Sequence, residues 1–141
     1  MFETVVVGAN DSSTARRAVE AAAGVCAQFQ GQLHVVSAYR GTRVALNQLP
    51  SEYAAMGSLS DAEALLQEFT FIAQRHGVTA TAHGVEGDAV QAILQTARNV
   101  GADLIVVGNQ GMRGARRVLG SVPNSIAHEA PCSVLIVDTS D

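Results

Sequence analysis

The chain has 141 residues, of which 48% are hydrophobic, 16% charged and 4% aromatic, and its formal net charge is -4. This length is typical of one domain with its own hydrophobic core, and the apolar content argues against intrinsic disorder. The acidic balance argues against nucleic acids and anionic membranes as partners, because both reward clusters of lysine and arginine. We therefore expect a single domain over residues 1–141.

The N-terminus and the cysteines bear on the cellular compartment. The first residues lead directly into a strand-like run, without the basic segment or cleavage pattern of a secretory signal. No apolar run approaches the roughly 18 residues of a membrane span. Cys26 and Cys132 form no CxxC pair, so we expect two reduced, small, buried hydrophobes. These features predict a cytoplasmic protein.

Five short apolar runs rich in β-branched residues predict five strands, at residues 4–7, 33–39, 78–85, 104–108 and 133–137. The first and fourth runs contain VVV and LIVV, which are continuous rather than alternating. Continuous runs are typical of strands that helices cover on both faces of a parallel sheet. We therefore expect these two strands to be central.

Apolar residues at helical spacing predict four helices between the strands, at residues 14–29, 61–76, 88–100 and 122–128. Ser12 or Ser13 is expected to cap the first helix and Asp61 the second, while Gly77 and Gly101 follow the expected ends of the second and third. Residues 40–60 show no clear period and predict a long connection. Right-handed crossovers then favour an α/β fold, a doubly wound parallel five-stranded sheet in the order 3-2-1-4-5 with helices on both faces, which is Rossmann-like.

The loop at residues 108–121, after the fourth predicted strand, is the strongest functional feature of the sequence. Its glycines allow backbone amides to approach a phosphate, and Gly120 and Ser121 open a helix whose free N–H groups favour negative charge. Three positive charges lie in the same loop, at Arg113, Arg116 and Arg117. The pattern predicts an anion site where the winding of the sheet reverses. The alternative is that the glycines only shape turns, Ser121 only caps a helix and the arginines only face solvent.

Three segments resemble the universal stress protein family: VVVGANDSSTARRAV, LHVVSAY and GADLIVVGNQGMRGARRVLGSVPNSIAHEAPCSVLIV. The resemblance implies the adenine nucleotide alpha hydrolase-like form of the fold and a homodimeric module of the stress response. It also implies an adenine nucleotide as ligand (ATP, AMP or cyclic AMP), leaves Mg open, and gives no reason to expect flavin or NAD.

The resemblance further implies which residues surround the nucleotide. The implied positions are Gly8, Ala9, Asn10, Val35, Val107, Gly108, Gly111, Arg113, Gly120, Ser121 and Val122. Two departures from the ATP-binding pattern stand out. Eight residues separate Gly111 from Gly120 where ATP-binding members have nine, and Asn10 replaces the usual Asp, so it supplies no charge to a metal. Either departure is expected to weaken the binding of Mg-ATP, and AMP, cyclic AMP or no nucleotide at all stay open as alternatives.

Catalytic residues and metal ligands are not indicated. The glycine loop lacks a general base, a metal-holding carboxylate and a GK(S/T) motif. The four histidines show no metal-ligand spacing, so structural roles are expected for His34, His76, His83 and His128. We expect a binding module rather than an enzyme, although the sequence leaves slow ATP hydrolysis open.

The last predicted strand ends the sheet at one edge, and an uncovered apolar edge invites pairing with a second copy. The resemblance implies a homodimer through this strand, at Val134, Leu135, Ile136 and Val137. From the residues alone, a monomer whose terminal residues fold over the edge remains an alternative. The sequence indicates no other protein partner.

Overall fold

The structure is a computed structural model that describes residues 1–9, 13–41, 58–109 and 119–139. Its strands are β1 (Thr4–Gly8), β2 (Gln32–Tyr39), β3 (Ala80–Glu86), β4 (Leu104–Gly108) and β5 (Ser133–Val137). Its helices are α1 (Ser13–Phe29), α2 (Leu59–Arg75), α3 (Ala89–Val100) and α4 (Ser121–Glu129). The strands form one parallel sheet in the order β3-β2-β1-β4-β5, which confirms the predicted topology.

The hydrophobic core lies on both faces of the sheet. One face packs against α1 and α2 through alternate residues of the central strands, such as Val5, Val7 and Val106. The other packs against α3 and α4 through the intervening residues, such as Val6 and Ile105. Because both faces are covered, each of these five side chains is fully buried. The continuous apolar runs predicted this burial correctly.

The start of α2 differs from the prediction. Ser58, not Asp61, is the N-cap: its hydroxyl accepts from the Asp61 backbone N–H, and the Asp61 carboxylate accepts from the Ser58 backbone N–H. This is a capping box, in which the acidic residue stands at the third helical position. The predicted cap was therefore wrong by three residues, because Asp61 plays the reciprocal part of the motif.

The start of β3 also differs. Val78 is buried, but its backbone N–H donates to the Ala73 carbonyl at the end of α2 over 3.0 Å. It therefore closes the helix, and the strand begins two residues later, at Ala80. The other predicted boundaries agree with the structure to within one residue, and Gly101 caps α3 with a φ of 67°. The predicted connection at residues 40–60 lies mostly outside the described residues, and its last two residues belong to α2. Ser12, one of the two predicted caps of α1, also lies outside the described residues.

The cysteines behave as expected in one respect and differently in another. Both are free thiols, as predicted. Cys26 is fully buried, and burial, followed by the charge of Asp103, raises its pKa to about 11. Cys132 is only half-buried, because it lies just before an edge strand rather than in a helix against the sheet.

Among the described residues, no helix is long and apolar enough to cross a bilayer.

A carboxylate fastens the beginning of β1. Asp103, just before β4, accepts hydrogen bonds from the backbone N–H groups of Glu3 and Thr4, at 2.9 and 3.1 Å. Its own N–H donates to the Thr4 carbonyl over 2.9 Å. Charged acceptors make stronger hydrogen bonds than neutral ones. Asp103 therefore aligns the two central strands at the end of the sheet opposite their carboxyl ends.

We predict that Asp103→Ala lowers the free energy of unfolding by about 1–3 kcal/mol, because it leaves two backbone donors without their acceptor. Asp103→Asn, the matched control, keeps one acceptor oxygen and should lose less. Urea denaturation followed by circular dichroism measures both. Equal stability of wild type and both variants would refute the assigned role.

Candidate functional site

The two central strands part at their carboxyl ends. Pairing between β1 and β4 runs as far as Val7 and Val106. Beyond it, the Ala9 N–H donates to the Val36 carbonyl on β2 over 2.8 Å, and the Asn109 N–H donates to the Val137 carbonyl on β5 over 3.0 Å. Past this point each of the two strands keeps only the pairing with its outer neighbour. A crevice between diverging chains at this position is the usual ligand site of a doubly wound sheet.

The glycine that ends β1 has a packing reason to be glycine. A Cβ atom built on Gly8 would overlap the Cδ1 atom of Ile93, on α3. The absence of a side chain lets α3 pack closely over the end of β1. A side chain at this position would require the Ile93 methyl group to move, so Gly8 has a packing role whether or not a ligand also uses its backbone.

Asn109 fastens the end of β4 to the residues that follow β5. Its side-chain oxygen accepts from the Thr139 backbone N–H at 2.9 Å and from the Thr139 hydroxyl at 3.0 Å. Its side-chain nitrogen donates to the Asp138 carboxylate over 3.2 Å. We call these three hydrogen bonds the Asn109 clasp. Asn109 and Thr139 are 5% and 2% exposed, so the clasp lies inside the protein. Sequence reasoning missed it, although a polar residue directly after a buried strand was an available signal.

The clasp also gives Gly108 a packing role. A Cβ atom on Gly108 would lie 3.0 Å from the Thr139 methyl group, tighter than ordinary van der Waals contact. The space beside this glycine is thus taken by the protein's own C-terminal residues. Any ligand would reach the backbone here from another direction.

The N-terminus of α4 offers backbone donors at the same end of the sheet. The helix precedes the parallel strand β5, so it begins near the carboxyl ends of the strands. Gly120 is its N-cap, in extended conformation and without a side-chain capping bond. The first bond of the helix is donated by Asn124 to the Gly120 carbonyl, and Pro123 has no N–H. This leaves the N–H groups of Ser121 and Val122 directed out of the helix end, and Ser121 is exposed.

The other predicted site residues fall into two groups. The side chains of Val35 and Val107 are buried in the core, on opposite faces of the sheet, so in this structure both serve packing. Their contacts with a ligand stay predictions. Asn10, Gly111 and Arg113 lie outside the described residues, as do Arg116 and Arg117. The structure places the remaining predicted site residues at one end of the sheet, and this shared location is all that it shows of their association. They are Gly8, Ala9, Gly108, Gly120, Ser121 and Val122.

Comparisons with known proteins agree on one family. A model of the universal stress protein family matches residues 1–138. The universal stress protein Rv1636 of Mycobacterium tuberculosis is 35% identical and aligns over 99% of this chain and 98% of its own length. A universal stress protein solved in complex with cAMP is 35% identical, with a TM-score of 0.80 and 99% of each chain covered. One from Archaeoglobus fulgidus, solved with dAMP, shares the fold at 20% identity, with a TM-score of 0.72 and 98% of each chain covered.

We predict that Gly8→Ala lowers the free energy of unfolding by about 1–3 kcal/mol through overpacking, and that Ile93→Val in the same chain recovers part of this loss. Ile93→Val alone should cost about 0.5–1.5 kcal/mol. The double variant should therefore be more stable than the sum of the single effects, as measured by urea denaturation.

Gly24→Ala is the control for this prediction. Gly24 lies in α1 with nothing within 4 Å of a built Cβ, so alanine there should stabilise the protein by about 0.5–1 kcal/mol. If the effects of Gly8→Ala and Ile93→Val on the free energy of unfolding were strictly additive, the contact between residues 8 and 93 would not require a glycine.

Proposed function

The chain belongs to the universal stress protein family, and we propose that it is a homodimeric, adenine-nucleotide-binding module of the stress response. The observation that carries the proposal is the parting of β1 and β4 beside the open N-terminus of α4. The complex of a 35% identical relative with cAMP supports an adenine nucleotide as the ligand. Binding would place the negative charge of a phosphate near the positive end of the helix dipole.

The described donors favour a ligand with one phosphate. Because Pro123 lacks an N–H, the first turn of α4 offers the amides of Ser121 and Val122, which suit a single phosphate group. The eight-residue spacing and Asn10 point the same way, since both depart from the Mg-ATP pattern. We therefore propose cyclic AMP or AMP ahead of ATP.

We further propose that the protein acts by binding and has no catalytic residues of its own. The glycine loop supplies no general base and no carboxylate placed by sequence to hold a metal. A nucleotide at this end of the sheet would instead change a surface that a partner reads. We also propose a cytoplasmic location, which the free thiols of Cys26 and Cys132 support.

The role of the helix amides can be tested at one position. Ser121→Pro removes the N–H and the hydroxyl, whereas Ser121→Ala removes only the hydroxyl. Proline is favoured at a first helical position, and Gly120 already has φ -61° and ψ 162°, which a following proline requires. We predict that Ser121→Pro binds cyclic AMP at least about 10-fold more weakly than Ser121→Ala, the loss of one charge-assisted hydrogen bond.

Isothermal titration calorimetry measures this difference, with cyclic AMP, AMP and ATP as ligands, in the presence and absence of Mg. Circular dichroism establishes that each variant is folded. Absence of binding heat for every nucleotide in the wild-type protein would end the proposed function. Equal affinity of the two variants would instead leave nucleotide binding standing and remove the helix amides from the site.

The dimer is proposed to form through β5. Leu135 is 38% exposed on this edge strand, and Val134, Ile136 and Val137 are only partly buried. An apolar edge with unpaired backbone groups is complementary to a second copy of itself. The resemblance to the family also implies a dimer through this strand.

We predict that Leu135→Glu converts the dimer to a monomer at micromolar concentration, because two carboxylates would meet across the two-fold axis. Phe71→Glu is the matched control: Phe71 is 60% exposed on α2, away from the edge, and its substitution should leave the dimer intact. Light scattering coupled to size exclusion gives the mass of each. A wild-type monomer, or a Leu135→Glu dimer, would contradict the assignment.

A second candidate function is a protein-interacting dimer of the same fold that binds no nucleotide. It is favoured by the packing roles of Gly8 and Gly108, which account for two of the motif glycines without a ligand. Titration of the wild-type protein with nucleotides separates the two candidates, because the second predicts no binding heat for any of them.

A further inference from the structure

Two histidines meet on the sheet face that α3 covers, away from the nucleotide site. His34 lies on β2 and His83 on β3, and the strand register pairs His34 with Thr81 and Val36 with His83, so the histidines are diagonal neighbours. Val36 and Val85, each two residues from one of them, pack in the core on the α3 side. Because side chains alternate along a strand, both histidines point to that side.

The rings face each other through nitrogen atoms. His34 Nδ1 and His83 Nε2 are 2.9 Å apart, and the ring centroids are 5.1 Å apart with the planes tilted by 36°. Without a bound ion, one of these nitrogens donates a hydrogen bond to the other. Two nitrogens bound to one ion at about 2.0–2.1 Å would lie about 2.9 Å apart at a right angle and about 3.3 Å apart at the tetrahedral angle. The observed separation thus matches that of two adjacent ligands of one ion.

The pair is placed so that solvent and ions can reach it. β3 is an edge strand, His34 and His83 are half-buried, and Thr81, the strand partner of His34, is exposed. Burial lowers the pKa of both histidines, and the charge of His83 lowers that of His34 further. Imidazole binds a metal through an unprotonated ring nitrogen, and both rings present a nitrogen to the same point.

We propose that His34 and His83 form a two-histidine binding site for a late first-row divalent transition metal ion, Cu²⁺, Ni²⁺ or Zn²⁺, on the β2–β3 edge of the sheet. Among the described residues, no group of three or more His, Cys, Asp or Glu side chains is placed to hold a metal, so water completes the coordination. Two neutral nitrogens select these ions over Mg²⁺ and Ca²⁺, which require oxygen ligands.

Binding requires one proton to change position. The facing nitrogen that carries a hydrogen passes it, through solvent, to the other nitrogen of its own ring. Both facing nitrogens then offer a lone pair, and each ring turns slightly about its Cβ–Cγ bond to direct that lone pair at the ion. The pair keeps the same number of protons, so between neutral rings and the bound ion no net proton is released.

The test uses untagged full-length protein titrated with NiCl₂, and separately with ZnCl₂ and MgCl₂, by isothermal titration calorimetry at pH 7.5. Cu²⁺ is avoided because it oxidises thiols. His34→Asn and His83→Gln each keep a polar amide near the replaced ring nitrogen while removing the metal ligand. His76→Asn and His128→Asn are matched controls, because both histidines are exposed at helix ends.

We expect one Ni²⁺ or Zn²⁺ per chain and no binding of Mg²⁺. His34→Asn and His83→Gln should each weaken Ni²⁺ binding at least 10-fold, and the two controls less than twofold. In nitrogen-15 spectra of the imidazoles, Ni²⁺ should broaden the signals of His34 and His83 first. No Ni²⁺ or Zn²⁺ binding by the wild-type protein, or undiminished binding in folded His34→Asn and His83→Gln, would overturn the proposal.

Discussion

β1 and β4 lie side by side in the middle of the sheet, and beyond Val7 and Val106 each chain pairs with its outer neighbour instead. Both strands are packed on both faces, so their ends cannot shift without disturbing two layers of core. The point where β1 and β4 part is therefore fixed by packing and by the backbone hydrogen bonds that precede it. Asp103 contributes from the opposite end, where it holds the start of β1 against β4.

The motif glycines illustrate how one residue type can satisfy two requirements. Gly8 and Gly108 match the positions where a family resemblance implies nucleotide contacts, yet Ile93 and Thr139 already occupy the space that a side chain would need. A glycine motif in this fold therefore does not by itself demonstrate a ligand. The N-terminus of α4 is a stronger indication, because its N-cap Gly120 has no side chain to cap the helix and Ser121 is exposed. For this reason the proposed function depends on the helix amides more than on the glycines.

The sequence was sufficient to predict the five strands, their order and the four helices, because apolar runs and helical spacing report burial directly. It misplaced the cap of α2, since Ser58 lies within the stretch without clear period that was predicted as a connection, whereas Asp61 directly precedes the apolar residues at helical spacing. It began β3 too early because Val78 is apolar for another reason, its packing at the end of a helix. Sequence reasoning did not predict the Asn109 clasp or the contact of His34 with His83, because both depend on register between segments 30 or more residues apart.

The two edges of the sheet differ in how they meet solvent, and the difference bears on assembly. The β3 edge exposes small or polar residues, including Thr81, Gly84 and Glu86, and polar edges resist pairing with another strand. The β5 edge exposes Leu135 and leaves its other apolar side chains partly covered. A second copy would therefore remove more apolar surface at β5 than at β3. Pairing at β5 would leave the histidines on the opposite edge open to solvent in each subunit, so dimer formation and metal binding at that edge are compatible in one molecule.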